Sequence, residues 1–232
     1  MIHTDYHYRK KQLLHDFDRR AARVQPILIA QYGEQAVPVL IAEWRTLFST
    51  FIPQIPFIGH NSPFLVFLIP GIRHFALYRA LQNRGETVKR VGQLIYKISE
   101  AEFLAIPILA RRIAAALWFS RWFRKRLQRH AIESQSRQYP NGYVLAFVPG
   151  DKKTYDYGVD YTECAVCTFL EEQRAIELAP YICAVDKIAS ETMGWGLTRT
   201  MTLADGQPKC DFRFSRLGQT NVPVPLSLVE GT

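Results

Sequence analysis

The sequence predicts an α+β fold: a helical N-terminal part followed by an antiparallel sheet with two helices on one face, in the order β-β-α-α-β-β. Three observations carry this. Apolar residues recur every three to four positions from the N-terminus to about His130. The tetrapeptide Tyr139-Pro140-Asn141-Gly142 is a strong turn signal. Beyond it, short alternating runs flank two helical ones, and an Asp-Gly pair sits between the last two runs. The boundaries that follow are 1–138 for the helical part and 139–232 for the α+β, cysteine-containing part, the two forming one continuous domain with a shared site.

Taken in order, Tyr8 to Val24 is strongly charged, with Leu13, Leu14 and Phe17 spaced for one narrow helical face. Pro38 to Phe51 places Val39, Leu40, Trp44, Leu47 and Phe48 at helical spacing behind a well-placed proline. The Pro-rich stretch from Ile52 to Pro63 predicts an ordered loop. Phe64 to Asn83 returns to helix, interrupted at Pro70-Gly71 and capped near Gly85. Thr87 to Ile98 gives a clean helical period. Ser99 with Glu102 resembles a capping box that opens a long helix toward His130, kinked at Pro107. After the turn, Tyr143 to Val148 and Tyr155 to Tyr161 predict strands, and Cys164 to Glu177 and Pro180 to Ser190 predict helices. Trp195 to Leu203 and Lys209 to Ser215 predict a closing hairpin around Asp205-Gly206.

Composition bounds the function classes. Of 232 residues, 48% are apolar and 22% charged, which excludes disordered, collagenous and disulfide-scaffold chains. A chain of this length buries roughly 70% of its unfolded surface and needs no staples. The first residues lack the apolar core of a signal peptide, and no uncharged apolar run reaches about 18 residues, so the expectation is a cytoplasmic protein with reduced thiols. The net charge of +8 is concentrated in Arg111, Arg112, Arg121, Arg124, Lys125, Arg126 and Arg129. Without those seven, 22 bases remain against 21 acids, so no nucleic-acid partner is expected. Ile113, Leu117, Phe123 and Leu127 share a face of that stripe, which is expected to pack on its own domain rather than on a membrane surface. A small-molecule substrate is the expected partner, and a homo-oligomer is compatible with the sequence.

All four cysteines fall in the second part: Cys164, Cys167, Cys183 and Cys210. Cys164, Cys167, Cys183 and Asp186 follow a C-x2-C-x15-C-x2-D spacing close to that of a zinc ribbon, although Cys164 and Cys167 open a helix rather than a knuckle. A thiol at a helix N-terminus has another use, because free N–H groups stabilise its thiolate. Cys164, at the strand-to-helix junction, is best placed, and Cys183, in the first turn after Pro180, comes second. Each is equally readable as a small buried apolar side chain. Histidine is absent from residue 131 onward. His60, beside Asn61 in the Pro-rich loop, is the one histidine placed over the site's mouth. Asp186 and Asp211 lie among apolar neighbours, so each either pairs with an arginine such as Arg199 or Arg213 or carries a shifted pKa and works as a base. The sequence contains no G-x-G-x-x-G, phosphate loop, G-x-S-x-G or H-E-x-x-H.

Several segments in fixed order carry a family resemblance: Tyr155-Asp156-Tyr157 through Asp160-Tyr161-Thr162-Glu163-Cys164; Leu178 through Cys183-Ala184-Val185-Asp186; Leu197-Thr198-Arg199-Thr200; and Cys210-Asp211-Phe212-Arg213-Phe214. Together with Ala76-Leu77-Tyr78-Arg79-Ala80-Leu81 before Gly85, this pattern resembles the L-2-amino-thiazoline-4-carboxylic acid hydrolase family. The resemblance covers residues 55 to 215. It implies a hydrolase that opens a cyclic amidine, with the thiazoline carbon between sulfur and nitrogen taking up water, and it maps shared cysteines to Cys164, Cys183 and Cys210 beside Asp186 and Asp211. Cys167 stands outside it. The expected catalytic set is Cys164, Cys183, Asp186 and Cys210, with substrate held by His60, Asn61, Asp211 and Arg199, no cofactor, and no metal unless zinc takes the cysteine set with Asp186. Strand alternation turns Cys210 and Asp211 to opposite faces, so at most one meets the pocket. The Gly206 to Phe212 segment also looks like the end of 4-vinyl reductase domains, which implies, as the alternative, a binding or sensor module without turnover.

Overall fold

The computed structural model describes residues 5–60, 62–151 and 153–229 of the chain. Six helices come first: α1 (Asp5–Tyr32), α2 (Val37–Phe51), α3 (Leu65–Gln82), α4 (Val88–Leu104), α5 (Ile108–Trp118) and α6 (Arg121–Ser134). Strands β1 (Val144–Pro149) and β2 (Tyr157–Glu163) follow, then α7 (Ala165–Glu172), α8 (Ala179–Cys183), α9 (Val185–Met193), β3 (Gly196–Thr198), β4 (Cys210–Ser215) and α10 (Leu226–Val229). The sheet is antiparallel throughout, in the order β1-β2-β4-β3. The β-β-α-α-β-β order of an α+β fold is therefore present, with the second helical segment divided.

Helix α3 is apolar nearly all round, and such a helix is stable only when surrounded. Leu68, Ile72, Phe75, Leu77 and Leu81 are buried, with α2, α4 and α7 packed on its sides. The charge it carries inward is matched: Arg73 Nη2 donates to both oxygens of Glu102 on α4, at 2.9 and 2.7 Å, and the Arg73 carbonyl accepts from Trp44 Nε1 at 2.8 Å. Gly71 lets α7 approach closely, since a Cβ there would sit 3.2 Å from Val166. One core of buried apolar side chains runs from Tyr6 to Val222 and joins the helices to the sheet through Tyr157, Val159 and Phe214.

Several boundaries differ from the sequence expectation, each for a local reason. Ser99 and Glu102 do not cap a new helix. They lie inside α4, which Thr87 caps, and Glu102 is held by Arg73. The long helix expected from Ser99 toward His130 is divided among three: the end of α4, α5 and α6. The chain breaks before Pro107, where Arg111 donates to the Ile106 and Leu104 carbonyls, and again at Ser120, whose hydroxyl accepts from Phe123 N. Pro70 does not interrupt α3, because one lost backbone bond weighs less than the burial of the whole helix. The closing hairpin is looser than a tight Asp-Gly turn: β3 ends at Thr198, and the chain loops out through a 3-10 turn at Leu203–Asp205 before β4. The basic stripe packs Leu127 inward, yet α5 buries none of its residues, and Ile113 and Leu117 stand more than half exposed. No described helix is long and apolar enough to cross a membrane.

Candidate functional site

The register of β2 against β4 decides which groups can meet. Tyr161 lies opposite Cys210, and Asp160 opposite Asp211. Directly opposed residues share a face, so Tyr161 and Cys210 face the helices while Asp160 and Asp211 face away. On that outer face Asp160 accepts from Lys209 and Arg213 at 2.6 and 2.7 Å. Asp211 accepts from Thr200 N, Thr200 Oγ1 and Met201 N, at 2.8, 2.6 and 2.6 Å. These bonds hold its carboxyl below the usual range despite burial, and they clamp the loop that follows β3. Asp211 thus pairs with neither candidate arginine and stands away from the thiols.

On the inner face β2 delivers Cys164 in extended conformation as the N-cap of α7, with Thr168 N bonded to its carbonyl at 2.9 Å. Cys167 lies one turn on in α7, whose first turn also carries the Val166 and Cys167 backbone N–H groups. Together they hold the Cys164 pKa below its ordinary value against burial. The neighbouring Cys164 and Cys183, together with burial, keep the Cys167 proton firmly on. Cys183 is not in the first turn of a helix. It ends the five-residue α8, and Ala184 turns the chain into α9, so any helix-start advantage belongs to Cys164 alone. Cys210 is buried, which pushes its thiol up to about 11 although Leu203 N points at its sulfur at 3.2 Å.

Asp186 lies in the first turn of α9. Arg199, only 3% exposed, donates to its Oδ2 at 2.5 Å and to the Cys183 carbonyl at 3.1 Å, tying α8, α9 and the post-β3 loop together. Burial pushes the Asp186 carboxyl up to about 6, and the Arg199 charge acts against that rise. It is therefore both paired and shifted, the two outcomes the sequence left open. Among the described residues no three His, Cys, Asp or Glu side chains are grouped as metal ligands would be, and the Asp186 carboxylate of the C-x2-C-x15-C-x2-D spacing is engaged by Arg199.

Two tyrosines that sequence reasoning missed complete the site. The charges of Asp186, Cys164 and Cys210 act on the Tyr161 hydroxyl, whereas the Tyr143 hydroxyl feels Cys164, Tyr161, Cys167 and Cys183. Their rings meet edge to face at 6.1 Å, and Phe64 covers both. The inward phase of the strand and the aromatic beside the turn were the available signals. On its other side Tyr143 lines a cleft of about 270 Å³ with Gly59, His60, Phe64, His130 and Tyr139. The Pro-rich loop thus borders a cleft that shares a wall with the thiol cluster. Asn61 lies outside the described residues.

A family model described as L-2-amino-thiazoline-4-carboxylic acid hydrolase matches residues 72–214, a span that holds all four cysteines, Asp186, Arg199 and both tyrosines but not the His60 loop. No curated protein and no solved structure matches.

Proposed function

As a member of the L-2-amino-thiazoline-4-carboxylic acid hydrolase family, the chain belongs among hydrolases, and we propose that it opens a small cyclic amidine of the 2-aminothiazoline-4-carboxylate type by cysteine-dependent addition of water. What supports the reading is one juxtaposition. A thiol whose pKa is lowered at a helix N-terminus stands in one cluster with a carboxyl that burial raises to about 6. Those are the nucleophile and the acid–base group that such a reaction needs.

The proposed steps balance. The Cys164 thiolate adds to the ring carbon between sulfur and nitrogen, the carbon–sulfur bond breaks, and protonated Asp186 gives its proton to the departing sulfur. Water then attacks the same carbon, one of its protons passing to the Asp186 carboxylate and the other ending on the former ring nitrogen, and the Cys164 thiolate leaves. The product is a ureido thiol, substrate plus one water. Arg199 holds Asp186 in place, Cys183 is a neighbouring thiol, and Cys210, with its raised pKa, stays protonated at the start of β4. No cofactor enters this scheme.

The test is a panel of cyclic amidines and thiazolines with serine replacements at Cys164, Cys183 and Cys210. Cys164→Ser is expected to lose roughly 10³-fold or more in rate while remaining folded. If all three variants keep activity within about tenfold of the parent, less than any essential nucleophile allows, the thiol mechanism is wrong. Tight binding with no product across the panel favours a sensor module instead. Stoichiometric zinc in the purified protein makes the cysteines ligands rather than nucleophiles.

A further inference from the structure

Among the described residues, five buried side-chain polar atoms have no hydrogen-bond partner: Arg73 Nε, His74 Nε2, Ser99 Oγ, Trp118 Nε1 and Tyr143 Oη. The first three belong to the helical layer, and Trp118 lies flat on Trp195 at 5.3 Å. Of the five, Tyr143 alone adjoins the thiol segment, since the next residue, Val144, pairs with Glu163, the residue before Cys164. A buried hydroxyl without a partner forfeits its hydration and gains nothing in return, so such a group in a site is a donor held ready for something that arrives.

Two other polar groups of the cluster are already engaged. Asp186 is on Arg199, and Cys210 is met by Leu203 N and Thr202. The Tyr143 ring is fixed at its edges by Phe64 and Tyr161, at 5.2 and 6.1 Å, so its hydroxyl is aimed rather than swinging.

Resting on the proposed function above, we propose that Tyr143 is a further catalytic residue, whose hydroxyl donates to the ring nitrogen of the bound cyclic amidine and polarises the carbon that Cys164 attacks. Electron density moves onto that nitrogen as the carbon–sulfur bond to the enzyme forms. A fixed donor there strengthens in the transition state, as donors to a developing oxyanion do. Burial keeps the phenol protonated far above neutrality, so it acts as a donor throughout the working pH range.

The experiment is Tyr143→Phe, which removes the hydroxyl and keeps the ring. With 2-aminothiazoline-4-carboxylate as substrate, kcat/KM is expected to fall roughly 10²–10³-fold, mostly in kcat. Without substrate, alkylation of Cys164 by iodoacetamide is expected to stay within about threefold of the parent rate, because thiolate activation comes from Cys167 and the α7 N-terminus. The melting temperature should hold or rise, since an orphaned buried hydroxyl has been deleted. A variant as active as an active parent overturns the role alone, and so does a variant melting several degrees lower, which marks a hydroxyl bonded in the resting fold. A parent inert toward the whole panel overturns the proposed function and this role with it.

Discussion

Replacing Arg199 by methionine keeps an unbranched apolar stem and removes the charge and the donors. In the native fold that guanidinium serves Asp186 at 2.5 Å, the Cys183 carbonyl at 3.1 Å and the Pro223 carbonyl at 3.5 Å, and it stacks over Phe212. Removing one partner of a buried ion pair costs about 3–5 kcal/mol when the other partner stays charged, and about 1–2 kcal/mol when only neutral acceptors are left unmet. Which case applies depends on pH. Burial raises the Asp186 carboxyl from 3.8 to about 6, so between those values the folded chain keeps a proton that the unfolded chain releases. The stability that this retained proton contributes is full below pH 4 and lost as pH rises through 6, about 3 kcal/mol in all. Arg199 pulls that pKa down, so in Arg199→Met it rises further and the loss extends to higher pH. Urea denaturation followed by circular dichroism should therefore give a penalty of about 1–2 kcal/mol near pH 5 and about 3–5 kcal/mol near pH 8. An equal penalty at both pH values, or a smaller one at pH 8, refutes the pairing of a buried carboxylate with Arg199.

Two further outcomes follow from the packing around the thiols. Cys167→Ala removes the neighbouring thiol that lowers the Cys164 pKa, so the pH midpoint of Cys164 alkylation should move up, and an unmoved midpoint excludes Cys167 as the activating group. Gly92→Ala places a Cβ 2.1 Å from Cδ1 of Tyr181, on the short helix that ends in Cys183, and should cost about 1–3 kcal/mol by thermal or urea denaturation. Adding Tyr181→Ala to that variant should return part of the loss, and strict additivity of the two penalties rules out the clash.

By itself the sequence determined what local chemistry governs. Apolar spacing marked out α2, α3 and α4, and the Tyr139–Gly142 segment closes the turn it announced, with Asn141 at positive φ and Gly142 N bonded to the Tyr139 carbonyl. Cys164 was legible as a helix-start thiol because a strand run ends and a helical run begins there, and alternation alone separated Cys210 from Asp211. Helix ends were less legible, since burial overrides local signals: Ser99 and Glu102 read as a cap but are absorbed into α4 once Arg73 takes the carboxylate. Only the tertiary structure decided how the site is assembled. That Tyr161 opposes Cys210 depends on strand register, and that Arg199 reaches Asp186 depends on how the loop after β3 returns over α9. That Cys183 closes a short helix beside Cys167 depends on α8 nesting against Gly92 of α4. The Tyr143 hydroxyl, 21 residues before Cys164 in sequence, reaches the thiols through strand pairing. These are contacts between segments far apart along the chain, set by which surfaces exclude water together, and no window of neighbouring residues contains them.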